Sequence, residues 1–175
     1  SPTRYAGLIV ADVPRLESQF CASIIEIVRD KMSVRDMLAH LNRVIDMYQP
    51  DYFIFEQVAA QRWFLQDPEM ERIGQQLQVL PHNTGRNKGD PNLGVESLAM
   101  DFEFGRLRFP YGDAESKAMT EMLFDEAKTY PQGKTDDLLM ALWFIKFNYI
   151  RLVPRYKGTG QKLGYGNRIP KRLEN

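Results

Sequence analysis

Three carboxylates, in two stretches eighty residues apart, are the side chains of this sequence best suited to chemistry: Glu56, and the pair Asp136 and Asp137. Glu56 closes residues 51–57, DYFIFEQ, an apolar run that ends in a charge. Such a run reads as a strand entering a core. A carboxylate taken out of water there shifts its pKa, pairs with a cation or binds a metal. The plainer alternative is a strand end already in solvent. Asp136 and Asp137 follow Lys134 and Thr135 and precede LLMAL, which places them in the first turn of a helix with Thr135 as its N-cap. One acidic residue there answers the helix dipole, worth a few tenths to about 1 kcal/mol. Two in succession, presented by a turn containing Gly133, are equally consistent with a site. If the two stretches meet, they form an oxygen-rich pocket that suits Mg2+ or Mn2+ better than a soft metal.

Other chemistries lack their residues. Zinc is disfavoured, because Cys21, His40 and His82 are dispersed. His40 falls on a helix and reads as a surface histidine, whereas His82 follows a strand end, where it could approach the pocket. No nucleophile elbow marks a Ser-His-Asp site. The loop GRNKG at 85–89 does not match the phosphate-binding pattern of an ATPase. Its Arg86 and Lys88 are candidates for contacting a phosphate backbone, with a solvated loop as the alternative.

The elements that must position these residues follow from periodicity. Residues 5–11 and 20–28 are apolar, β-branched runs that read as an antiparallel hairpin. Ser33 is an N-cap with Asp36 three residues on, and Val34, Met37, Leu38, Leu41, Val44, Ile45 and Tyr48 share one helical face. Gln49 and Pro50 end that helix, and the Glu56 strand follows. Strand, helix and strand then make a right-handed crossover with parallel flanking strands. Residues 59–65, 69–76, 95–104, 116–129 and 135–149 read as helices. Residues 77–81 form a short strand, 84–92 a polar loop, and 107–110 an edge strand, because its Pro110 cannot join a central ladder.

At 175 residues the chain holds one domain, 1–150, and a basic, Gly-rich tail, 151–175, expected to be flexible. Charge balances over the whole, 23 basic against 23 acidic, yet the tail carries seven basic residues, including Arg155 and Lys157, against Glu174 alone. A single cysteine excludes an internal disulfide framework and fits a reducing compartment. No run approaches the roughly 20 apolar residues of a membrane span. The start without methionine, just before a strand, is what a piece of a longer chain would show.

Taken together, the hairpin, the amphipathic helix, the strand YFIFE, the Lys-bearing loop, the run FEFGRLRFP at 102–110, Tyr130 with Pro131, and TDDLLMAL at 135–142 resemble the nuclease domain of the large terminase subunit of tailed bacteriophages. The resemblance covers most of the chain. It implies an α/β, ribonuclease H-like mixed sheet flanked by helices. It also implies two-metal, Mg2+- or Mn2+-dependent cleavage of concatemeric double-stranded DNA during genome packaging, in the cytoplasm of a host cell. An N-terminal packaging ATPase domain, a portal ring and the small terminase subunit are the implied partners, with no membrane. Carried over by residue, Glu56 is the second acidic ligand, and Asp137, narrowly preferred to Asp136, is the third. The first ligand is an Asp on the central strand. Asp12 is that residue if 5–11 is the first strand. The crossover fits better if 5–13 is the second strand, and the first strand with its Asp then lies outside this chain. The DNA contacts would come from Arg86, Lys88, Arg155 and Lys157. Alternatives are another ribonuclease H-like nuclease, of resolvase or integrase type, or a non-catalytic module that binds DNA or a portal.

Overall fold

The computed structural model describes residues 4–14, 19–57, 68–152, 155–156 and 162–163. Over these the chain is a mixed α/β fold. Strand β1 (Arg4–Asp12) pairs antiparallel with β2 (Ala22–Met32), as the two apolar runs predict. The register steps from Val10 opposite Glu26 to Ala11 opposite Ile24, so Ile25 is a bulge residue and is 41% exposed. A bulge reverses the in-and-out alternation. Ile24 and Ile27 consequently face the same core although they are three positions apart.

Helix α1 (Val34–Tyr48) begins with the expected capping box: Ser33 Oγ accepts from the Asp36 backbone, and the Asp36 carboxylate accepts from the Ser33 backbone. Gln49 ends it in the left-handed region, at φ 46°. Alternation along β1 sends Leu8 and Val10 toward Val44 of α1. Ile9 and Ala11 go the other way, into the core under the final helix. Glu26 of β2 accepts from Arg43 and from Tyr48 Oη at 2.9 Å, fastening α1 to the sheet.

Strand β3 (Tyr52–Glu56) pairs in parallel with β4 (Gln78–His82), and helix α2 (Pro68–Gln76) connects to β4. The crossover predicts β2 and β3 in one sheet. Instead β1, β2 and β5 (Leu107–Arg108) form one sheet and β3 with β4 another, and no ladder joins β1 to β3 among the described residues. The same helices nevertheless cover both: Val44 and Tyr48 of α1 pack with Leu8, Val10 and Phe53. The helix expected at 59–65 lies outside the described residues.

Residues 95–104 divide into a 3-10 turn (Val95–Ser97) and the short helix α3 (Leu98–Glu103), and Gly105 turns the chain at φ 63°. Helix α4 (Ala114–Thr129) starts at an Asp113 cap, two residues earlier than the pattern predicts. Helix α5 (Asp137–Leu152) is the buried spine, with Leu138, Leu142 and Trp143 at 0% exposure. Segment 93–101 is fixed to it by Trp143 Nε1 donating to Leu93 O at 2.8 Å, by Lys146 Nζ donating to Ser97 O at 2.7 Å, and by the buried ion pair of Lys146 with Asp101. Two buried charges in contact lose less than either would alone. In the tail, β6 (Arg155–Tyr156) pairs antiparallel with β7 (Lys162–Leu163), a local pairing that the Gly-rich composition does not predict. No helix among the described residues is long and apolar enough to cross a membrane.

Candidate functional site

Glu56 reaches its position through β3. Phe53 and Phe55 pack into the core beneath α1 and α2, so Tyr52, Ile54 and Glu56 occupy the opposite face. Glu56 closes the strand and is exposed, which corrects the picture of a carboxylate buried at a strand end. Solvent therefore meets its charge, and burial gives no reason for a partner. What remains distinctive is its surroundings: its Oε1 accepts from Thr84 Oγ1 at 2.6 Å.

Asp136 and Asp137 are set by the start of α5, which three contacts from distant parts of the chain hold in place. Gly7 of β1 lies against the helix, so close that a Cβ there would meet Asp137 O at 2.7 Å. A glycine inside a strand marks such an approach of two backbones. Glu126 of α4, 3% exposed, accepts from the backbone of Leu138 at 2.8 Å and of Leu139 at 3.0 Å. Arg29 of β2 donates from Nε to Asp137 Oδ2 at 3.2 Å and lies 3.6 Å from Glu126 Oε1. The helix starts at Asp137, and a carboxylate from α4 takes the N–H groups that Thr135 was expected to cap; Thr135 itself is exposed. A carboxylate accepting from two free N–H groups also meets the positive end of the helix dipole.

The two aspartates are thus in different environments. Asp137 turns to Arg29. Asp136 Oδ2 accepts from Lys88 Nζ at 2.9 Å. Lys88 stands in a 3-10 turn (Arg86–Gly89) and donates its backbone N–H to Thr84 O at 3.2 Å. One turn of chain therefore gives a hydroxyl to Glu56 and an ammonium to Asp136. The hydrogen bond to Asp136 holds the Lys88 ammonium above the ordinary lysine range, against the opposing effect of its partial burial. The negative charge of Asp136 adds to that elevation. Lys88 Nζ also lies 5.6 Å from the centre of the Tyr130 ring.

Asp12 is not brought to this group. Helix α5 runs along β1, from Gly7 beside Asp137 to Pro14, whose carbonyl accepts from Tyr149 Oη at 3.0 Å. Asp12 lies toward the Tyr149 end, roughly 15–20 Å from Asp137 at 1.5 Å of helix rise per residue. His82 is 1% exposed, stacked on Phe144 and beside Trp143 and Phe147, with Nδ1 3.0 Å from Asn148 Nδ2. It is a core histidine. Arg86 opens the 3-10 turn and Arg155 lies in β6, while Lys157 falls outside the described residues.

As donors for a metal, Glu56 and Asp136 offer hard carboxylate oxygens. Each is contacted by one residue of the same turn, Glu56 by Thr84 and Asp136 by Lys88. Among the described residues no three His, Cys, Asp or Glu side chains converge as a ligand group. Thr84, Arg29 and Glu126 carry no sequence signal for their roles here, because each acts on a residue more than ten positions away. No family model, curated protein or solved structure matches the chain.

Proposed function

We propose that the chain is the nuclease domain of a viral DNA-packaging motor, a ribonuclease H-like fold that cleaves double-stranded DNA with Mg2+ or Mn2+. The observation that carries the reading is that one turn contacts both carboxylates, Thr84 reaching Glu56 and Lys88 reaching Asp136, from stretches eighty residues apart. These two carboxylates hold the metal, and Asp136 is preferred to Asp137 because the turn that contacts Glu56 also contacts Asp136. The bound ions supply an activated water and stabilise the leaving oxygen. Thr84 orients the Glu56 carboxylate.

The break in the sheet supports the same reading. Helices α1 and α5 cover both β1 and β3, and no ladder joins these strands among the described residues. A ribonuclease H-like sheet has its central strand in that position, and we place there the strand that carries the first Asp. Asp12, at the far end of β1, is then a strand-end residue. Portal ring, small subunit and packaging ATPase domain are the partners of such a domain.

The test is cleavage of supercoiled plasmid by the full-length protein with Mn2+ or Mg2+. Nicked and linear products that need the ion and disappear in Glu56→Ala and Asp136→Asn are expected. Intact plasmid with either ion refutes every nuclease reading, and activity retained by Glu56→Ala removes Glu56 from the site. Preferential cutting of four-way junctions would favour a resolvase, and ion-independent binding without cutting a non-catalytic module.

A further inference from the structure

Thr84 and Lys88 form a strap across the two carboxylates. The turn between them is closed by Lys88 N donating to Thr84 O at 3.2 Å, by Asn87 Nδ2 donating to Asn83 O at 3.2 Å, and by Gly85 N donating to Asn83 Oδ1 at 3.1 Å. The backbone is thus held independently of the side chains that reach Glu56 and Asp136. Of those two side chains, the lysine is the one that sets a cation on a carboxylate, at 2.9 Å from Asp136 Oδ2. Its ammonium and a divalent ion cannot occupy the same carboxylate oxygen.

We propose that Lys88 is an internal competitor for the divalent cation: its ammonium holds Asp136 in the metal-free protein and leaves when Mg2+ or Mn2+ binds. The inference rests on Glu56 and Asp136 being metal ligands. Lys88 and Asp136 are 40% and 41% exposed, so the pair is held in a wet environment and is weak enough to exchange. Four methylenes separate the ammonium from the fixed turn, and rotation about them releases it without moving Thr84. The face of Tyr130 lies 5.6 Å from the ammonium in its Asp136-bound position, so it is a neighbouring surface within reach of the released side chain. Metal loading therefore frees a cation at the rim of the site.

The experiment is titration of the protein with Mn2+ alone, following the free-ion signal by electron paramagnetic resonance. Lys88→Met is expected to bind Mn2+ about two- to fivefold more tightly than the parent, the range for breaking one half-exposed ion pair. Lys88→Arg, which keeps a cation on Asp136, stays near the parent. Lys134→Met, which removes a charge from an exposed neighbour, also leaves the affinity unchanged. Adding Asp136→Asn to Lys88→Met abolishes the gain. If the parent binds Mn2+ and Lys88→Met binds it equally or more weakly, the competitor is refuted and the carboxylate site stands. A gain that Lys134→Met reproduces, or that survives Asp136→Asn, also refutes it. If neither parent nor variant binds Mn2+ at millimolar concentration, the metal site and the competitor fall together. Matching circular dichroism and melting of the variants confirm that each is folded.

Discussion

Replacing Gly7 with Ala tests how the start of α5, and with it Asp136, is held. The added Cβ would lie 2.7 Å from Asp137 O, 2.8 Å from Asp137 C and 3.1 Å from Leu138 N, where ordinary contact begins at 3.4 Å. Helix and strand must separate by about 0.7 Å, the difference between 3.4 and 2.7 Å. Both partners are backbone, so no side-chain rotation relieves the overlap. Leu138, Leu139, Leu142 and Trp143, all 3% exposed or less, move with the helix. Overpacking of this kind costs about 2–3 kcal/mol. The loss of glycine's unfolded-state freedom returns roughly 0.5–1 kcal/mol. The net loss is about 1–2.5 kcal/mol. With a urea slope of about 2 kcal/mol/M, the unfolding midpoint falls by roughly 0.5–1.2 M. The melting temperature falls by about 2–10 °C. Gly89→Ala is the matched control, since nothing lies within 4 Å of its Cβ position, and it should change stability by no more than about 0.5 kcal/mol. Equal midpoints for the two variants would refute the close approach of β1 and α5.

Two further perturbations address the supports around the site. Glu126→Ala leaves the Leu138 and Leu139 N–H groups buried without an acceptor and should cost about 3 kcal/mol, with Glu126→Gln at about 1–2 kcal/mol, both read by urea unfolding. A loss under about 0.5 kcal/mol for the Ala variant would mean that Glu126 does not cap α5. Glu26 is held below the ordinary glutamate value of 4.5, chiefly by its hydrogen bond from Arg43 and also by Tyr48. Its folded pKa is depressed, so its contribution is present above about pH 4.5 and disappears as pH falls through the lower folded value. Glu26→Gln should therefore cost about 1 kcal/mol at pH 7 and progressively less in acid. A cost that does not vary with pH would assign the effect to packing.

Legibility in the sequence followed the range of the interaction. The hairpin and α1 were readable because a period-2 run, a Ser33–Asp36 box and a helical stripe are local signals. The Ile25 bulge was not, since it reverses alternation without altering composition. The start of α5 was misplaced by two residues because Thr135 is a good cap in isolation, whereas Glu126 competes from another helix. Glu56 and the aspartate pair stand out in the sequence by chemical type alone. Their division of labour was invisible, since it depends on Lys88 reaching one aspartate and Arg29 the other. The apolar run around Glu56 suggested burial, and the strand simply ends at the surface.

The two carboxylates belong to parts of the fold that no ladder connects among the described residues. Glu56 is carried by β3, which pairs with β4, and Asp136 by the start of α5, which Gly7, Arg29 and Glu126 fix to β1, β2 and α4. Across the seam these parts are joined by the packing of α1 and α5 and by the turn from Thr84 to Lys88. One directional contact also crosses it, Asn148 Nδ2 of α5 to His82 Nδ1 of β4 at 3.0 Å. Packing is non-directional and sets a separation only loosely, whereas a ladder fixes register, so the relative placement of Glu56 and Asp136 depends on these few polar contacts rather than on a strand register.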